Sequence, residues 1–231
     1  MHVPDGIVPF WLQVLMFALS GIMLVLSGRR LSKQFDDRLV PYMGVLAAVV
    51  FGIQFVDIPV PPSSGHLMGS TLLAIMVGPW AAIIVIGLVL FVQALTGDGG
   101  LLTYGLNLFN MGIVCSLVGW SLSLLIFKAL RTHLNDRWSV LTATAVASYV
   151  AVVVTAVVLG LEFFTVAGFG YIAFLTIVGV NAVIGVGEAI VTCMVLAYFV
   201  RARPSVISLL SGRKKLDVTQ SALIGQKSPL D

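Results

Sequence analysis

The chain opens Met-His-Val-Pro-Asp-Gly, and a histidine next to an N-terminal amine is a chelating group. The Met1 amine and the His2 amide nitrogen close a five-membered ring on a metal ion. The same amide nitrogen and His2 Nδ1 close a six-membered one. The three nitrogens then lie nearly in one plane. The amide must shed its proton, which calls for a strongly polarising ion such as Ni²⁺ or Cu²⁺. One in-plane position stays open, and a second imidazole would complete a flat set of four nitrogens. That geometry suits Cu(II) or Ni(II), and Co(II) can be forced into it. Zinc prefers a tetrahedron and fits badly. The chelate needs Met1 kept as the N-terminus. That is expected here, because no basic leader segment precedes the polar turn and His2 is bulky.

The candidate fourth ligand is His66, in Pro-Pro-Ser-Ser-Gly-His-Leu-Met-Gly at 61–69. Pro59, Pro61 and Pro62 stiffen its approach, and Gly65 lets the backbone come close to a neighbour. His133 lies among charged residues and reads as a solvated surface group. The plain alternative is that His2 is an accident of the start site and His66 an ordinary loop residue. Ser63 or Ser64 with His66 also hints at a nucleophile and base of an intramembrane hydrolase. Two or three residues apart in one proline-rich loop, they are poorly placed to build an oriented triad.

The elements that must position these residues are membrane helices. The chain has 231 residues, 59% hydrophobic and 10% charged, against about 25% charged in a soluble domain. The bilayer is therefore its solvent. Cys115 and Cys193 fall inside apolar runs and read as small buried apolar side chains. The pattern predicts an all-α helical bundle of about seven segments, at 9–27, 39–56, 66–77, 79–96, 104–130, 139–161 and 171–200. A span needs about 20 residues. The run 66–77 is too short to cross alone: it starts nearer Ser63, or it is half of a re-entrant hairpin broken at Gly78-Pro79. All 13 Lys and Arg residues lie in loop 28–38, segment 128–137 and the tail beyond residue 200. With an even number of crossings between residues 66 and 96 they fall on one side, the cytoplasmic one. The N-terminus is then outside and the C-terminus inside. Residues 1–203 read as a single membrane domain, and 204–231 as a flexible basic tail. The outer face keeps Asp5, Asp57, Asp98 and Glu162 with two of the three histidines, and no base. Such a face attracts cations. Positive-inside bias explains the missing Lys and Arg but not the histidines.

Polar side chains within a membrane are expensive. Gln93, Asn107, Asn110, Asn181 and Glu188 stand out. Asp98-Gly99-Gly100 reads as a turn at the outer end of its helix. Asn107, Gln93 and Asp5 are candidates to hold the metal-binding segment or orient His66; interhelical hydrogen bonding is the alternative. Glu188 reads as a structural partner for Thr192. Gly44, Ala48 and Gly52 form a small-residue helix face, suited to close packing inside the bundle or to docking a partner subunit.

Met-His-x-Pro-Asp-Gly at the start, Ser-Gly-His at 64–66, Gln-Ala-Leu-x-Gly-Asp-Gly-Gly at 93–100, Gly-x-Asn-x-x-Asn-Met at 105–111 and Gly-x-Gly-Glu-Ala at 185–189 together resemble the CbiM/NikM family. These are the substrate-binding (S) membrane components of energy-coupling-factor (ECF) transporters for cobalt and nickel. The resemblance covers residues 1 to about 200. It implies a seven-helix fold with the N-terminus tucked in from outside. It implies that Met1, His2 and His66 hold transported Co²⁺ or Ni²⁺, with no prosthetic group. It also implies partners: a transmembrane coupling (T) subunit, ATPase (A) subunits and a small accessory membrane subunit, in the plasma membrane of a prokaryote. Many relatives carry Met-Glu where this chain has Pro4-Asp5, and Ser-His-Pro where it has Gly65-His66-Leu67; the ligands stay intact. The sequence has no Gly-x-x-x-x-Gly-Lys-Ser/Thr phosphate loop, so any ATP hydrolysis belongs to a partner. The basic inner surface does not point to nucleic acid, because positive-inside bias already accounts for it. A vitamin-binding S component is the rival of the same transporter type, and it leaves Met1-His2 unexplained. Cobalamin-synthesis genes nearby would favour cobalt, urease or hydrogenase genes nickel.

Overall fold

The computed structural model describes residues 1–33, 39–55, 57–61 and 63–210. The basic tail beyond residue 210, including Arg213, Lys214, Lys215 and Lys227, lies outside the described residues, as does Arg38. The described residues are mostly helical, as the hydropathy pattern predicts. In chain order the helices are α1 (Phe10–Ser32), α2 (Leu39–Gln54), α3 (Ser70–Val77), α4 (Pro79–Thr96), α5 (Tyr104–Asn107), α6 (Cys115–Leu130), α7 (Asp136–Phe163) and α8 (Tyr171–Ala202). A π-helical stretch, Leu108–Val114, joins α5 to α6, so Tyr104–Leu130 runs as one rod of 27 residues. A 3-10 turn, Pro204–Val206, follows α8. Five of these rods are long and apolar enough to cross a membrane: α1, α4, Tyr104–Leu130, α7 and α8.

The segment before α3 is not helical. Asp57–Val60 (β1) and Ser63–His66 (β2) pair as an antiparallel hairpin, with Asp57 opposite His66 and Val60 opposite Ser63. The expected early helix start near Ser63 is therefore corrected. The strand ends at His66, and three residues later Gly69, in the left-handed region at φ 69°, turns the chain into α3. The break at Gly78-Pro79 is present. Gly78 has φ 87° and Pro79 opens α4, where its missing N–H costs nothing.

α3 is the buried pillar behind the His66 loop: residues 70 to 76 are all buried. α7 and α8 pack side by side along their length, with Gly160 under Phe174, Gly185 against Tyr149 and Cys193 near the Leu141 carbonyl. These pairs make the two helices antiparallel. At one end of the bundle lie the N-terminal segment, the hairpin and loop 97–103. At the other, the Arg30 guanidinium sits 4.9 Å from the Trp80 ring centroid, and Ser208 meets Gly78.

Candidate metal centre

The first eight residues form a plug that turns at Asp5-Gly6. Met1, Val3 and Val8 are buried side chains of the core. Their main chain is held by groups far away in sequence. The residue 2 amide donates to Ser64 Oγ at 3.2 Å, and its carbonyl accepts from Ser63 Oγ at 2.9 Å. Asn107 clamps residue 3 with both ends of its amide: Val3 N–H donates to Oδ1 at 2.9 Å and Nδ2 donates to the Val3 carbonyl at 3.1 Å. Thr103 Oγ1 donates to the same carbonyl at 2.5 Å. Asp5 accepts the main-chain N–H groups of Leu101, Leu102 and Thr103 at 3.1, 2.9 and 3.0 Å, in the turn that leads into α5.

This threading brings His2 and His66 together. Their rings stack with centroids 4.6 Å apart and planes 24° from parallel. Both are buried, at 3% and 2% exposure. His66 Nδ1 lies 2.8 Å from the Leu67 carbonyl, which fixes the proton on Nδ1. Nε2 is then the lone-pair nitrogen, and it is buried with no hydrogen-bond partner among the described residues. Burial, the N-terminal ammonium and His2 hold the His66 imidazole well below the usual histidine range, against the opposing Leu67 hydrogen bond. A neutral imidazole with one nitrogen tied to a carbonyl and the other bare has the form of a metal ligand.

Two groups that escape sequence reasoning complete the surroundings. Asp98 Oδ1 lies 3.1 Å from His2 Nδ1. The His2 hydrogen bond holds the Asp98 carboxyl below its usual range, against the effect of burial. Gly99, at φ 91°, is the wall beside the His2 ring: a Cβ there would sit 3.1 Å from His2 Cδ2. The Asp-Gly-Gly turn signal explained Asp98 without needing a contact. The second group is Glu188. It does not pair with Thr192. Its two oxygens accept the N–H groups of Met68 and Gly69 at 2.7 and 2.8 Å, while Gln54 Nε2 donates to the Met68 carbonyl at 2.6 Å. The turn after His66 is thus pinned from α8 and α2.

Gln93 is buried, but its side-chain amide makes no hydrogen bond among the described residues, so it is not joined to either histidine in that way. Asn110 bonds Glu162 Oε2 at 2.6 Å, across to the end of α7. Gly44, Ala48 and Gly52 lie on the exposed side of α2, and a Cβ added at Gly44 or Gly52 would meet nothing within 4 Å. Packing inside the bundle therefore does not account for them.

No group of three or more His, Cys, Asp or Glu side chains is assembled to hold a metal among the described residues. The nitrogens that the structure brings together around His2 are different in kind: two imidazoles and the main-chain amide of residue 2. Such nitrogen-only sets suit Ni, Cu or Co more than the hard cations.

Known proteins resemble this chain along most of its length. Residues 2–206 match the family model CbiM, described as the cobalt uptake substrate-specific transmembrane region. A protein of Methanocaldococcus jannaschii, named for metal transport, is 34% identical over 220 residues, covering 90% of this chain and 95% of its own. One of Archaeoglobus fulgidus, named for fused nickel transport, is 31% identical over 235 residues, covering 100% of this chain and 76% of its own. A crystal structure of a transition metal transporter superposes with a TM-score of 0.74 at 34% identity, covering 86% of this chain and 92% of that one.

Proposed function

Because the chain belongs to the CbiM family of cobalt uptake substrate-specific membrane proteins, we propose that it captures Co²⁺ or Ni²⁺ at the outer membrane face for ATP-driven import. It is a multi-pass transport component and not an enzyme. The observation that carries the reading is the bare Nε2 of His66 beside the stacked His2 ring at the start of the chain. Met1, through its amine, His2, through its amide and Nδ1, and His66, through Nε2, form the ligand set. Asn107 and Asp5 keep the N-terminal segment in place, and Gln93 is a further buried polar group on the outer half of α4.

Loading exchanges protons for metal. The His2 amide hydrogen now points to Ser64 Oγ, and Nδ1 faces Asp98. The ion takes the place of the amide hydrogen, which leaves to solvent together with the extra proton of the amine; the Nδ1 hydrogen of a neutral His2 moves to Nε2, and His66 has no proton to lose from its own Nε2. Ser63 and Ser64 hydrogen-bond residue 2, which gives them a positioning role and leaves the hydrolase reading without support. The vitamin-carrier reading has no use for buried nitrogens at the chain start.

The topology that goes with this puts the N-terminus outside, the basic loops and C-terminus inside, and seven helical segments in the membrane domain of residues 1–203. A transmembrane coupling subunit, ATPase subunits and a small accessory subunit supply the energy. The exposed small-residue face of α2 (Gly44, Ala48, Gly52) is where the coupling subunit leans. Release follows when the N-terminal segment is drawn out of plane or the His2 amide regains its proton.

The test is metal analysis of protein made with an untagged, natural N-terminus. It should retain about one Ni²⁺ or Co²⁺, and His2→Ala or one residue added before Met1 should lower affinity more than the ~10–100-fold typical of an outer-sphere partner. Undiminished metal retention by both variants would remove the ligand set from consideration.

A further inference from the structure

We propose that the cleft between the start of α7 and the end of α8 binds the phosphate headgroup of an anionic membrane phospholipid. The cleft is about 420 Å³ and is lined by Arg137, Ala197, Tyr198, Arg201 and Ala202. That volume is within the ~300–1,000 Å³ usual for small-molecule sites. Among the described residues no carboxylate lines it. The polar lining is two guanidiniums and a phenol, the donors that phosphate oxygens take, and guanidinium forks match phosphate geometry in pairs.

The helix ends add to the same field. Arg137 lies in the first turn of α7, where the positive end of the helix dipole disfavours a cation. Arg201 lies in the last turn of α8, where a cation is favoured. Because α7 and α8 are antiparallel, both arginines meet at one level. An anion between them relieves the conflict at Arg137 and keeps the favourable contact at Arg201.

The surroundings set the depth. Trp138 and Tyr198 are 57% and 67% exposed, and the Arg137 guanidinium lies 5.9 Å from the Trp138 ring centroid. Exposed Trp and Tyr on membrane helices sit at headgroup level. From Tyr198 an exposed stripe of Met194, Ile190 and Val186 runs along one face of α8, away from the cleft and into the hydrocarbon zone. A headgroup in the cleft therefore has a track for its chains. A free phosphate would use only the guanidiniums; the aromatic flanks and the stripe favour the lipid. Basic pockets between membrane helices bind acidic headgroups in this manner. The site is separate from the metal centre and does not depend on it.

The experiment is lipid retention by the full chain, purified from membranes of mixed phosphatidylglycerol and phosphatidylcholine and read by native mass spectrometry. The wild type should keep phosphatidylglycerol over phosphatidylcholine. Each Arg→Gln change should lower that preference about fivefold, and R137Q/R201Q together roughly twentyfold. R137K/R201K, which keeps charge without the fork, should fall between, and R131Q, outside the cleft, should match the wild type. Metal retention serves as the folding control; should the double variant fail it, R201Q and R201K carry the comparison. Equal losses in R131Q and the cleft variants would mean diffuse charge and overturn the site. So would inorganic phosphate displacing the lipid and stabilising the protein equally well. Undiminished lipid in R137Q/R201Q with loss of a co-purifying coupling subunit would assign the cleft to an acidic protein surface instead.

Discussion

Two sets of glycines in this molecule face opposite situations. At the N-terminal plug, Gly99 has the His2 ring and the Asn107 amide at its bare face, and Gly100 has the Asp5 carboxylate and Thr103 Oγ1. On α2, Gly44 and Gly52 face open space. The first pair is glycine because the chain's own atoms leave no room. For the second pair no described atom of the chain demands glycine, although each weakens its helix by about 1 kcal/mol relative to alanine. The plug is thus shaped by intramolecular closeness, whereas the α2 face is open to whatever surrounds the bundle.

Substitutions can break that contrast. Gly100→Ala sets a methyl against the Asp5 carboxylate and should dislodge the turn that Asp5 caps. Metal affinity should fall by about a hundredfold or more, at the upper end of outer-sphere losses, in isothermal titration of the purified chain. Asn107→Ala removes both hydrogen bonds to residue 3 and should cost about ten- to hundredfold. Asn107→Asp, which keeps one acceptor, should lose less.

The pH dependence of metal retention sharpens the same contrast, because it reports on the plug alone. His66 is neutral well below its ordinary range, so its titration should be silent near neutrality. The amine and the amide must both release protons to solvent when the ion binds. Affinity should therefore rise with pH, about tenfold or more per unit below pH 7, and retention flat from pH 5 to 8 would count against amide ligation. The smallest effect is expected on α2. Ala48→Leu should leave the purified chain within about 0.5 kcal/mol of its stability and its metal affinity unchanged. Uptake in cells and co-purification of a coupling subunit should both drop. If both survive, the α2 face is merely lipid-facing.

The parts of this architecture that follow from hydropathy were legible in the sequence. The apolar rods and the Gly78-Pro79 break are of this kind, since composition and proline chemistry bear on them; charge asymmetry put His2 and His66 only on one face, and their meeting was what the family resemblance implied. The hairpin 57–66 was not legible. It carries three prolines, which argue against a strand, and its pairing is a long-range fact that no local pattern records. Glu188 shows the same limit. Helical periodicity offered Thr192, four residues along its own helix, whereas the partners are the N–H groups of Met68 and Gly69, some 120 residues away. Asp98 was hidden by a sufficient local explanation, the glycine turn beside it. The open side of Gly44 and Gly52 also needed coordinates, because a small-x-x-x-small spacing reads the same whether a neighbour is present or not.

The wide turn at Leu108–Val114 separates Asn107 and the plug-side rim of the rod from Cys115 and the other half. It works as a phase shifter. One residue advances an α-helix by about 100° and 1.5 Å. Deleting a single residue within this stretch would let the rod close into a continuous α-helix with the rim in almost its present register, because the wide turn carries one residue more than an α-helical one. Straightening the stretch with every residue kept would instead swing the rim roughly a quarter turn against the other half. The amide at position 107 would then leave residue 3, and the plug would come loose although no contact surface had been mutated.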